Sequence, residues 1–196
     1  DLIRNYILMG LAPKMQAQVF DKYWKSIENN AKDEQKNTSR VSDYIRDYLT
    51  IQNNIIPNKS KVYKEFKNKY RKRDSYFYTT VLEKIREYAI YYNKLLNPQN
   101  EENSKIRVEL EAIQQLEINV SYPFLMQVYK DFANNIIGVK TFYEVLRLVQ
   151  SFTWRRFIVD LGTNALNKIF MTLYSDVDPN NYLYSIQYAL MRKTGK

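Results

Sequence analysis

Apolar residues recur along this chain with a helical period almost from end to end. Val41, Tyr44, Ile45, Tyr48 and Leu49 fall on one face of a helix, with Ser39 placed as its N-cap. Met15, Val19, Phe20, Tyr23, Trp24 and Ile27 mark another, opened by Pro13, whose missing N–H costs nothing in a first turn. Val81, Leu82, Ile85, Tyr88, Ala89, Tyr92 and Leu96 mark a long one that stops before Asn97-Pro98. The same spacing predicts helices over 104–116, 123–134 (Pro123 in the first turn), 142–160, 164–174 and 180–193. Thr141 and Glu144 have the spacing of a capping box for the 142–160 helix. No run alternates with the two-residue period of a strand, and no hairpin dipeptide separates such runs. The expected class is all-α: an irregular bundle of about eight to ten helices without a sheet.

Two polar stretches interrupt the pattern. Residues 29–39 (NNAKDEQKNTS) read as a mobile loop. Residues 97–104 (NPQNEENS) read as a boundary between an N-terminal helical part, 1–97, and a C-terminal one, 104–196, forming one compact domain or two packed halves. With 4 Gly and 5 Pro in 196 residues, long regular elements with few turns are expected. No apolar run approaches the roughly 18 residues of a membrane span, and no signal-peptide pattern opens the chain. A start on Asp1 rather than Met, and an end on Lys196 in mid-pattern, read as an excised fragment.

Composition then narrows the chemistry. There is no Cys, which excludes disulfides and thiolate chemistry, and no His, which removes the usual general base and metal ligand near neutral pH. No Ser-His-Asp triad, His-based zinc site or His-Asn-His nuclease can be built from these residues, and no Gly-rich phosphate loop is present. No metal or cofactor site is expected. Asp176, Asp178 and Asn180 match three positions of a calcium loop, but Asn181 and Gln187 stand where Gly and Glu are needed, so a helix-capping turn is expected. Glu65 and Lys67 have the spacing of a nuclease motif that belongs on a strand, and here they lie in a helical pattern.

The net charge is +9, and it is local. Residues 59–73 hold Lys59, Lys61, Lys64, Lys67, Lys69, Arg71, Lys72 and Arg73 against one acid, Glu65. Clustered cations of this kind release counterions when they neutralise phosphates, and Tyr63, Phe66 and Tyr70 interleave, as bases would require for stacking. Lys61, Lys64, Lys67, Lys69, Arg71, Lys72 and Arg73 are therefore candidate nucleic-acid contacts. The competing reading places the aromatics in the core and leaves the lysines as a solvated face. A second feature is Arg155-Arg156 inside an apolar run. On the 142–160 helix Arg156 falls in the stripe of Phe142, Val145, Leu146, Val149 and Phe152, and Arg155 lies about 100° away. Arg156 is expected to be a buried structural ion paired with Asp43, Asp47 or Glu28. Arg155 is expected at the surface as a possible contact. Gly162 and Thr163 or Asn164 are placed as a helix stop and the next N-cap.

Several stretches in order, DLIRNYILMG (1–10), YWKSIE (23–28), VSDYIRDYLT (41–50), IPNKSKVYKEFKNKY (56–70), YPFLMQVY (122–129) and RRFIVDLGTNALNKIF (155–170), resemble the GmrSD-type restriction family. These bacterial proteins act against modified foreign DNA. They combine a ParB-like nucleotide-binding N-terminal domain, a helical region and a His-Asn-His C-terminal nuclease. The resemblance covers nearly the whole chain but only the middle of the family pattern. Neither the N-terminal motif nor the nuclease histidine is present, so it implies no catalytic residue here. It implies a bacterial, cytoplasmic, non-catalytic connecting domain of a nucleotide-dependent DNA endonuclease involved in defence against phage. Its partners would be the flanking nucleotide-binding and nuclease domains, with duplex DNA at the basic block. The alternative is a helical module that docks an acidic protein surface without binding DNA.

Overall fold

The computed structural model describes residues 2–159 and 164–194. Among them the fold is all-α, apart from one pair of two-residue strands. The chain divides into two compact units, 1–96 and 97–196.

The first unit begins with α1 (Leu2–Leu8). It continues as α2 (Pro13–Val19), a π turn (Phe20–Trp24) and α3 (Lys25–Asn30), which run on as one rod. Pro13 starts that rod, and Val19, Tyr23, Trp24 and Ile27 are buried along it. Met15, expected on the same face, is exposed.

The stretch 29–39, expected to be a mobile loop, instead closes on itself. Lys32–Asp33 pairs antiparallel with Thr38–Ser39, Asn37 takes a positive φ of 51°, and the Lys36 N–H donates to Asp33 Oδ1 at 3.0 Å. This small ladder departs from the sheet-free expectation. Its strands are too short to show an alternating pattern, and asparagine tolerates the left-handed turn that closes it.

Helix α4 (Val41–Asn53) buries Val41, Tyr44, Ile45, Tyr48 and Leu49, and ends on Asn54 in the left-handed region. Its N-cap is Arg40 and has no side-chain cap bond; the expected cap, Ser39, is reached from the Val41 N–H only at 3.5 Å. A 3-10 turn capped by Asn58 leads into α5 (Val62–Lys69). A second π turn (Phe77–Val81) then opens α6 (Leu82–Leu96). Helices α3 and α6 pack along each other, and Asn93 Nδ2 donates to Asn30 O at 3.2 Å.

Tyrosine makes much of this unit's core. Tyr44 meets Tyr92 with ring centroids 5.1 Å apart, and Tyr48 meets Tyr88 edge-on at 5.7 Å. The Tyr44 hydroxyl donates to the Ile85 carbonyl, so its buried oxygen is satisfied.

The second unit opens with a 3-10 turn (Pro98–Asn100). Asn97, Pro98 and Glu101 are buried, and Glu101 accepts from the Tyr129 hydroxyl and, at 2.8 Å, from the Asn103 N–H. Helix α7 (Ser104–Gln115), capped by the Asn103 side chain, lies along α9 (Val139–Ile158), where Gln150 Nε2 donates to Glu109 Oε2 at 2.7 Å. Helix α8 (Tyr122–Ala133) carries buried Asp131, which accepts from the Tyr174 hydroxyl at 2.9 Å and the Tyr182 hydroxyl at 2.6 Å. That carboxylate joins α8 to the chain segments at α10 (Asn164–Leu173) and α11 (Tyr182–Thr194).

Helix α9 departs from its expected start. It begins at Val139 after Gly138, three residues before 142, so Thr141 lies inside the helix and no capping box forms. The expected helix stop at Gly162 and cap at Thr163 lie outside the described residues, and Asn164, the alternative cap, is the first residue of the next helix. Among the described residues, no helix is long and apolar enough to cross a membrane.

Candidate functional site

The basic block is organised by α5. Val62 and Phe66 are buried on one side of the helix, Lys64 and Lys67 are exposed on the other, and Lys61 and Lys69 are exposed at its two ends. Lys59, Arg71 and Lys72 extend the charged surface beyond both helix ends and are exposed as well. Among the described residues none of these seven cations is in an ion pair. Lys69 Nζ donates to Asn53 Oδ1 at 2.6 Å, and Arg71 Nη2 to Asn68 Oδ1 at 3.4 Å. Both are neutral acceptors, so the charges are positioned without being cancelled. Asn68 stands three residues before Arg71 and was within reach of a sequence reading; Asn53 is brought in only by the packing of α4 on α5.

One cation of the block departs from the others: Arg73 is half-buried and bonded within the fold. Its guanidinium donates to the Tyr6 carbonyl and, at 2.6 Å, to the Met9 carbonyl, and it lies 4.6 Å from the Tyr6 ring centroid. Helix C-terminal carbonyls have no partners within their own helix, and Arg73 supplies a charged donor to those of α1. The aromatics follow the competing reading, in which they face the core. Phe66 is buried, and Tyr63 and Tyr70 are half-buried in a ring cluster, with Tyr6–Tyr63 at 6.3 Å, Phe66–Tyr70 at 5.0 Å and Tyr70–Phe77 at 5.6 Å. Burial pushes the Tyr70 hydroxyl up to about 12. What α5 presents is a set of point charges suited to phosphates, with its rings turned inward.

Next to this surface, Asp47 on α4 is half-buried, and loss of solvation pushes its carboxyl up to about 8. Arg46 and Lys59 oppose that rise, and Asp43 adds to it. Arg46 is held in place by donating from Nε to the Pro57 carbonyl at 2.9 Å.

Arg156 also differs from expectation. It is half-buried rather than buried, and among the described residues its guanidinium meets no carboxylate. Of its expected partners, Glu28 accepts from Arg4 at 3.3 Å and from Trp24 Nε1 at 2.7 Å, and Asp43 pairs with Arg40 at 3.3 Å. Arg156 instead sits over the Phe152 ring at 5.8 Å, and its Nε is shut off from solvent without a hydrogen-bond partner. Arg155 is exposed.

The calcium-like stretch is a capping turn. Asp178 accepts from the Asn180 N–H at 2.9 Å and from Asn181 Nδ2 at 3.0 Å, while Asp176 pairs with Arg192 and Lys193, each at 3.0 Å. Among the described residues no group of three potential metal ligands comes together. Comparison with protein-family models, curated proteins and solved structures finds no match.

Proposed function

We propose that this chain is a non-catalytic helical connecting region of a bacterial restriction protein directed at modified DNA, and that its α5 face contacts the phosphate backbone of duplex DNA. The observation that carries the DNA contact is the set of seven exposed cations, Lys59, Lys61, Lys64, Lys67, Lys69, Arg71 and Lys72, none of them ion-paired among the described residues. Such a surface favours sequence-independent binding, because phosphate contacts position a protein without reading bases. The parentage rests on the ordered resemblance of 1–10, 23–28, 41–50, 56–70, 122–129 and 155–170 to the GmrSD-type family. With no His and no Cys in the chain, the reading leaves hydrolysis to the flanking domains of the parent.

A mobility-shift titration on duplex DNA tests the contact. Affinity should fall steeply with salt, with a slope in log K against log salt of about −4 to −6 if five to seven phosphates are neutralised. Reversal of Lys64, Lys67, Arg71 and Lys72 to Glu should abolish the shift. Absence of binding at low salt, or binding that survives the reversal, overturns the DNA contact. Retention of the wild-type chain but not the reversed one by an acidic protein surface, with no DNA shift, would move the conclusion to a protein-docking module.

A further inference from the structure

In the second unit, α7 and the turn after it, α9 and α10 leave a cavity of about 480 Å3. Its apolar walls are Leu116, Ile118, Trp154, Phe157 and Leu166. The Trp154 and Phe157 rings are nearly parallel, with centroids 5.7 Å apart and planes 24° apart, and both remain exposed, so they offer flat apolar surface to a third ring. The volume is that of an ordinary small-ligand site. Among the described residues one cation lines it, Arg156; it is in no ion pair there, and its Nε is shut off from solvent without a hydrogen-bond partner. Thr153 Oγ1, also in the lining, is shut off from solvent and lacks a hydrogen-bond partner. A polar group held in apolar surroundings without a partner is costly. A guanidinium in that position favours a carboxylate, which it can meet with two parallel hydrogen bonds. Among the described residues Glu117 is the one acid in the lining, and it is exposed. Its charge disfavours polyanions such as nucleoside triphosphates and leaves room for a single negative charge.

We infer that this cavity binds a flat aromatic molecule carrying one carboxylate, with its ring against Trp154 and Phe157 and its carboxylate on Arg156. The site is separate from the basic α5 surface, and the inference does not depend on DNA binding.

Isothermal titration calorimetry with 1-naphthoate, and with uncharged 1-naphthalenemethanol as its match in shape, tests it. Naphthoate should bind about tenfold more tightly than the alcohol, the scale of one charge-assisted hydrogen-bonded pair. Arg156→Gln should bring the two affinities together while the alcohol binds as before, which also shows that the cavity is intact. Glu117→Gln should strengthen naphthoate about threefold, with no change for the alcohol. Failure of both compounds to bind at millimolar concentration overturns the inference. So does a preference for naphthoate that persists in Arg156→Gln, because the anion would then be held elsewhere.

Discussion

Two arginines show how a residue's role is decided by what the fold brings to it. Arg73 lies in the most basic stretch of the chain and reads there as one more surface charge. It instead serves the carbonyls of Tyr6 and Met9, more than sixty residues earlier. Arg156 lies in an apolar stripe and reads as the buried ion, yet it has no carboxylate among the described residues. Local spacing gives the face of a helix on which a side chain stands. It does not give the acceptor that a distant segment delivers, so Arg73 could not be separated from Lys72 by sequence. The separation is measurable. Arg73→Ala should destabilise the chain by about 2 kcal/mol, since it leaves helix-end carbonyls without their charged donor, whereas Lys72→Ala should stay within about 0.5 kcal/mol; urea midpoints distinguish the two. Asp47 offers a pH test. Its carboxyl is raised from 3.8 to about 8 in the folded state, so the protonated form is the one the fold favours. The wild type should therefore lose stability as pH rises from 3.8 through about 8, relative to Asp47→Asn, which does not titrate there. The advantage of the variant should be absent near pH 3.5 and level off above pH 8. Parallel melting-temperature profiles for the two proteins across this range would show that Asp47 titrates normally.

At the scale of elements, the helices with a clean apolar period were legible, and α4 and α6 bury nearly all the positions their spacing marks. Three things were not. The two π turns each place an extra residue in a helix, and a period of 3.6 has no symbol for that. The ladder at 32–39 is too short to have a period. The start of α9 was hidden because Gly138 has no side chain to announce a cap, while Thr141 and Glu144 offered a spurious one. Gly138 has φ −87° and ψ 172°, and a Cβ there would meet nothing within 4 Å. Gly138→Asp should thus add an N-cap and a favourable charge at the helix start, for a gain of about 0.5 kcal/mol or more. Thr141→Ala should be near neutral; a loss of about 1 kcal/mol would restore the capping role that the structure denies to it. The candidate site was legible to a similar degree. The charged residues of 59–72 were visible as a cluster, and helical spacing already offered an inward turn for Tyr63, Phe66 and Tyr70; the rings they meet, Tyr6 and Phe77, were not visible.

At the scale of the whole molecule, charge is unevenly divided. Residues 1–96 hold 19 Lys and Arg against 11 Asp and Glu, and residues 97–196 hold 11 against 10. The first unit thus carries nearly all of the excess and, with it, self-repulsion that salt relieves. Replacing Lys61, Lys64 and Lys67 by Gln should raise the melting temperature by a few degrees at about 10 mM salt. The gain should vanish at about 0.5 M, where screening reaches only a few ångströms. An unchanged gain at high salt would assign it to helix propensity instead. The aromatic residues are divided in a different way. Each unit has one tryptophan among its described residues: Trp24 is 1% exposed in the first and Trp154 is 49% exposed in the second. An indole sealed in a tyrosine-rich core emits at shorter wavelength than one in contact with water, and the surrounding tyrosines pass excitation to it. The unlabelled chain therefore carries two optical reporters, a blue one for the first unit and a red one for the second. The order in which the two units lose their structure can be read from the shape of a single emission band.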